Sequence, residues 1–164
     1  VDETVFLGIM EENKVKVLDV IEARKPFKIT SPIGTKFPIT ASVLGKVFLS
    51  ALDDEEVKRL LKEIGLPRYT ENSITDPARF LEEIEKTRRI GYGIDSEEYL
   101  KGIRAIATLI YAQDKPVGAI WIVGFAHAMK DEKLPRMIQH LKETEKIVSA
   151  RISHLYPGRI VPNV

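Results

Sequence analysis

Apolar and polar residues alternate with two different periods along this chain. The runs TVFLGIM (4–10) and VKVLDVIEA (15–23) are rich in β-branched residues, and EENK between them predicts a hairpin. FKITSP (27–32) predicts a third short strand ended by Pro32, and the SPIGTKFP segment predicts a turn or loop. From Thr40 the period lengthens. Ala41, Leu44, Phe48, Ala51 and Leu52 recur at helical spacing, with Thr40 or Ser42 as candidate caps. LDDEEVKRLLKEIG is a second helix with an acidic first turn and Gly65 as its stop. Asp76 caps a third, with Pro77 at its first position and Gly91 at its end. GIRAIATLIYA and VGAIWIVGFA then give the strongest strand signals, joined by QDKP. From Asp131 to Tyr156 a stripe of Leu134, Met137, Ile138, Leu141, Val148, Ile152 and Leu155 predicts one long amphipathic helix.

Hairpin-joined strands imply an antiparallel sheet, so the predicted class is α+β. Parity divides the two strong strands. Ile103, Ala105, Ala107 and Leu109 share one face, and Arg104, Ile106, Thr108 and Ile110 the other. In the partner strand Ala119, Trp121 and Val123 alternate with Ile120 and Ile122.

Composition narrows the function. The 164 residues suit one domain, with 44% hydrophobic and 30% charged residues. Lys and Arg number 25 against 24 Asp and Glu, a net charge of +1, which gives no broad pull toward nucleic acid or anionic membrane. The tightest basic cluster, Arg24, Lys25 and Lys28, is interrupted by Pro26 and Phe27 and reads as a loop edge. Cysteine is absent, which removes disulfides, thiolate nucleophiles and sulfur-ligated zinc, and suits a reducing, cytoplasmic setting. No run approaches the ~20 apolar residues of a membrane span. The chain opens at Val1 rather than at a methionine, which reads as a piece of a longer protein.

Several chemistries fail on spacing. GTKFP and LGKVF lack the second glycine of a phosphate loop, and GYGIDS lacks the third glycine of a dinucleotide fingerprint. His127, His140 and His154 include no pair four apart, so neither a catalytic residue nor a metal site is expected. Asp95, Glu97 and Glu98 crowd four positions. In an extended segment the adjacent Glu97 and Glu98 point apart, which argues against a paired-carboxylate site and for a mostly solvated turn. Gly45 inside a helix costs about 1 kcal/mol relative to Ala, so close packing or a ligand is expected there.

GTKFPITASVLGKVFLS, then GYGIDSEEYLKGIRAIATLI, then VGAIWIVG, resemble the effector-binding domain of IclR-type transcription regulators. The family runs PLHATALGKALLA, GYAxDxEE, GVxCIAAPV and AxSxSGP, and weaker similarity covers nearly the whole chain. The resemblance implies a GAF-like fold: a central antiparallel sheet, helices on one face and a small-molecule pocket on the other. It implies an effector-binding and oligomerisation domain over 1–156, a loose tail over 157–164, and a DNA-reading winged helix-turn-helix that precedes such domains and is absent from this chain. The implied partners are a small organic or aromatic acid as effector, a second copy in a dimer or tetramer, and DNA through the missing module only. Neither a cofactor nor a membrane is implied. Carried over residue by residue, the implied effector site is Val43, Leu44, Asp95, Ile103, Ala105, Trp121 and Val123, with Phe37 and Ile29 on the wall. Ala105, Trp121 and Val123 stand where the family has a cysteine and two serines, so the pocket is expected to be smaller or more apolar. Remaining anion recognition would fall to backbone N–H groups around Ala41 to Lys46. A pocket closed by Trp121 would leave only an oligomerisation module; a stand-alone sensor is the other alternative.

Overall fold

The computed structural model describes residues 1–40 and 42–155. Six strands form one sheet: β1 (Thr4–Glu11), β2 (Lys14–Ile21), β3 (Lys36–Pro38), β4 (Gly93–Ser96), β5 (Ile103–Ala112) and β6 (Lys115–Phe125). Four helices accompany them: α1 (Ser42–Leu49), α2 (Asp54–Ile64), α3 (Pro77–Ile90) and α4 (Leu134–Leu155). The strand order is β3-β2-β1-β6-β5-β4, and every adjacent pair is antiparallel. The predicted α+β class is therefore the observed one. The proposed tail, and Ala41 as a helical position, lie outside the described residues.

Local chemistry sets the element ends. Gln113 and Asp114 both take positive φ, the pair of left-handed residues that a two-residue β5–β6 turn needs to match strand twist. Asp53 accepts from the Glu56 N–H at 2.8 Å while the Glu56 carboxylate accepts from the Asp53 N–H, a reciprocal box that starts α2. Asp76 accepts from the Ala78 N–H at 2.7 Å, and Pro77 opens α3. The Gly91 N–H closes α3 on the Thr87 carbonyl.

Three expectations from the sequence need correction. The third strand is not FKITSP but Lys36–Pro38. Phe27 is 84% exposed, whereas Phe37 pairs with Val15 of β2. A turn closed by the Thr35 N–H on the Pro32 carbonyl returns the chain to the β2 edge, where the Gly34 N–H meets the Val17 carbonyl and the Val17 N–H meets the Thr35 carbonyl. The first helix also stops at Leu49, short of Ala51 and Leu52, and the Thr40 hydroxyl meets the Tyr69 hydroxyl at 3.4 Å. Lastly, helices cover both faces of the sheet rather than one.

Strand parity sorts two cores. Phe6, Ala105, Ala107, Leu109, Ala119 and Trp121 pack with α1, α2 and α3. Ile106, Ile110, Ile120 and Ile122 pack under Leu134, Met137 and Leu141 of α4. β2 keeps its apolar side inward despite a register shift opposite Leu7 and Gly8: Val15 and Val17 are buried, Leu18 turns outward, and Val20 packs inward again.

Candidate functional site

On the α1 side of the sheet a cavity of about 230 Å³ remains unfilled. Strands supply its floor: Phe6 from β1, Ile103 and Ala105 from β5, Trp121 and Val123 from β6, and Asp95 from β4. Trp121 lies flat against Phe6, with ring centroids 5.4 Å apart and planes 14° from parallel. Gly8 makes that placement possible, because a Cβ there would fall 2.8 Å from the Trp121 ring and 2.6 Å from the Lys16 carbonyl oxygen. Leu44 of α1, Phe37 of β3 and the Ile29–Ser31 loop form the walls.

The remaining wall is the loop between β4 and β5. Glu97 and Gly102 both take positive φ, so the chain folds back between them and carries Tyr99 and Leu100 over the cavity. Tyr99 meets Phe37 and Tyr69 edge-on, at 6.4 and 4.9 Å between centroids. Polar bonds hold the loop. The Thr70 hydroxyl donates to the Glu97 carbonyl at 2.7 Å, Ser73 donates to the Glu98 carbonyl at 2.7 Å, and the Glu97 carboxylate accepts from the Gly102 N–H.

The adjacent glutamates do diverge, and Glu98 turns inward. Its carboxyl accepts from Lys46 at 2.7 Å, and Lys46 is only 1% exposed. Lys46 also donates to the Ile94 carbonyl at 2.8 Å and has Glu83 of α3 at 3.4 Å. Asp95, 3% exposed, accepts from the Glu98 N–H at 2.7 Å. Burial raises the Glu98 carboxyl above the ordinary glutamate range; the Lys46 ammonium pulls it down, and Asp95 adds a smaller upward push. Desolvation likewise raises the Tyr99 phenol.

Of the nine residues carried over from the sequence, the structure places Leu44, Asp95, Ile103, Ala105, Trp121, Val123, Phe37 and Ile29 around this one cavity. Val43 is elsewhere: it is fully buried and faces Gly93 of β4, because α1 turns only Leu44 toward the cavity. Phe6, Tyr99, Leu100, Thr30 and Ser31 line it without having been anticipated. The signal for Phe6 was parity, since it shares a β1 face with Gly8. The signal for Lys46 was that SVLGKVFL is apolar on every side, leaving its one charge no solvent face. Gly45 is explained by packing, with the Ile39 carbonyl oxygen 2.2 Å from where its Cβ would stand. Among the described residues no cluster of three His, Asp or Glu could hold a metal ion, and no helix is long and apolar enough to cross a membrane.

The family described as "Bacterial transcriptional regulator IclR C-terminal" matches residues 1–150. The acetate operon repressor of Salmonella typhimurium is 32% identical over 138 residues, covering 82% of this chain and 50% of the repressor. The chain thus spans about half the length of the curated relatives it matches. The crystal structure of Thermotoga maritima IclR superposes with a TM-score of 0.85 at 29% identity, covering 93% of this chain and 62% of that one. The inducer-binding domain of Acinetobacter PobR, solved as a double mutant with 3-hydroxybenzoic acid, superposes with a TM-score of 0.82 at 25% identity over 90% of this chain and 87% of that one. This chain belongs to the IclR family of bacterial transcriptional regulators and corresponds to its C-terminal, effector-binding domain.

Proposed function

We propose that the cavity floored by Phe6, Ala105 and Trp121 is the effector site of a cytoplasmic transcription regulator, and that its occupancy governs operator binding. The carrying observation is the cavity itself: about 230 Å³ of space persists over a tryptophan that could have filled it. That volume also argues against a closed pocket serving oligomerisation alone.

The mode of action is allosteric rather than chemical. An effector that prefers one arrangement of the β4–β5 loop shifts the population of that arrangement. The loop reaches α1 through Glu98 and Lys46, and α3 through Glu83, so its position is tied to two helices. A coupling of about 1–3 kcal/mol is enough for a useful response. Operator contact belongs to a winged helix-turn-helix outside this chain, and reading paired half-sites requires a dimer or tetramer.

The test is calorimetric screening of small organic molecules against this chain and against Ala105→Phe, whose ring would enter the cavity. A bound effector at a hundredfold excess over Kd should stabilise by about 2.7 kcal/mol, and Ala105→Phe should abolish the gain. A screen with no stabilising molecule at millimolar concentration, or with hits indifferent to Ala105→Phe, would overturn the assignment.

A further inference from the structure

The polar groups around the cavity accept hydrogen bonds far more than they donate. Thr30 gives its hydroxyl proton to Glu22 at 2.7 Å. Ser31 gives its own to Thr35 at 3.1 Å, and Thr35 in turn donates to the Pro32 carbonyl. Both hydroxyl oxygens therefore present lone pairs, not protons, toward the cavity. Asp95 presents a carboxyl group, which accepts. Among the described lining residues there is no lysine, arginine or histidine. Lys46 of α1 does not line the cavity and is held by Glu98, Glu83 and the Ile94 carbonyl. Among the described lining side chains only the Tyr99 hydroxyl and the Trp121 indole N–H remain as donors.

A buried anion needs opposite charge or a full set of donors, because losing its hydration shell is costly. The described side chains of this wall supply neither. The rest of the lining is apolar, with Phe6, Phe37 and Trp121 supplying aromatic faces among aliphatic side chains. An apolar cavity of about 150 Å³ takes up benzene, so about 230 Å³ fits one substituted ring. We infer that the effector is a small neutral aromatic molecule bearing an O–H or N–H donor, rather than the carboxylic acid that the family resemblance suggests. The ring lies against Trp121, and its donor reaches Asp95 or the Ser31 oxygen.

This inference rests on the cavity being the effector site, and matched probes separate the two claims. Benzamide, benzoate and benzylamine share one ring and differ in charge. Titration calorimetry at pH 7.5 should give benzamide a Kd at least tenfold below that of benzoate, with all benzamide heat lost in Ala105→Phe. Where that variant does not fold, Ile103→Trp, reaching in from the half-buried rim, serves instead. If benzoate or benzylamine binds as tightly as benzamide and is also lost in the filled variant, the neutral class is wrong while the site stands. If none of the three binds, or the filled variant binds them unchanged, the site assignment itself falls and the ligand class with it.

Discussion

Glu98 occupies the junction of loop, helix and strand, and its two neighbours act on it in opposite directions. Burial is the largest influence and raises its carboxyl; Lys46 opposes, Asp95 reinforces, and the balance is upward. Between the ordinary value of 4.5 and that raised value, the folded chain holds the proton more tightly than the unfolded chain. Stability from this group is therefore fullest below 4.5 and declines as pH rises through the window. Glu11, held down first by Lys36 and then by Lys16, and Glu22, held down by Lys28, have the reverse sign. Their contribution is present above 4.5 and is lost as pH falls beneath it. Glu98→Gln removes only the first effect. Urea midpoints from pH 4.5 to 8 should fall less steeply for Glu98→Gln than for the parent chain, and superimposable slopes would rule out a raised Glu98. Asp95 calls for a similarly narrow change. Its buried carboxyl holds the Glu98 N–H, so truncation to Ala strands a donor at a cost of about 1–3 kcal/mol. Asp95→Asn keeps an acceptor and is the cleaner probe of effector response. The pairing itself was not legible in the sequence, which put Glu98 in a mostly solvated turn 52 positions from Lys46; the apolar surround of Lys46 was the one signal.

Helix α1 shows what an element owes to its neighbours. Ala normally exceeds Gly in a helix by about 1 kcal/mol, so Gly45→Ala would be stabilising if α1 stood alone. Here the new methyl would meet the Ile39 backbone oxygen at 2.2 Å, with the Phe80 ring at 3.4 Å behind it. A backbone oxygen cannot rotate aside, and overpacking of this kind costs about 1–3 kcal/mol. Gly45→Ala should therefore lower the urea-extrapolated stability, and a gain would mean that α1 can lift from the Ile39 turn. The elements readable in advance were those whose signals are local. Asp53 with Glu56, Asp76 with Pro77, and the alternation of Ile and Ala through β5 each depend on residues a few positions apart. β3 was misplaced because KFP is too short to show alternation, and its strand character comes from pairing with β2. β4 was hidden for the same reason: GIDS reads as a turn until Ile106 and Ala105 lie beside it. The cavity was half legible. Parity sorted the faces within each strand and the family resemblance put Ala105, Trp121 and Val123 on one side, but the reversal at Glu97 that brings Tyr99 and Leu100 over them depends on a left-handed residue that the sequence does not announce.

The whole molecule is a sheet between two unequal layers, and the proposed effector touches only one of them. Ile84 of α3 lies in the core beside the cavity, and Ile110 of β5 lies in the core under α4. Both are essentially inaccessible to water. Each Ile→Val change should cost about 0.5–1.5 kcal/mol through one lost methylene and the space it leaves. What the double variant does decides how the layers communicate. If the sheet is a rigid partition, Ile84→Val and Ile110→Val should add to within about 0.3–0.5 kcal/mol, as expected for sites without shared partners. Additivity would confine effector signalling to the loop, α1 and α3, the elements joined by Lys46, and would leave α4 a passive support. An interaction energy clearly above that range would instead make β5 the route by which one core feels the other, since its alternate residues pack on opposite sides. Equilibrium unfolding of the four chains in urea, with a single coincident transition by fluorescence and far-UV dichroism, supplies the measurement. Trp121 is the only tryptophan and sits on the cavity side, so agreement between the two probes also shows that both layers melt together.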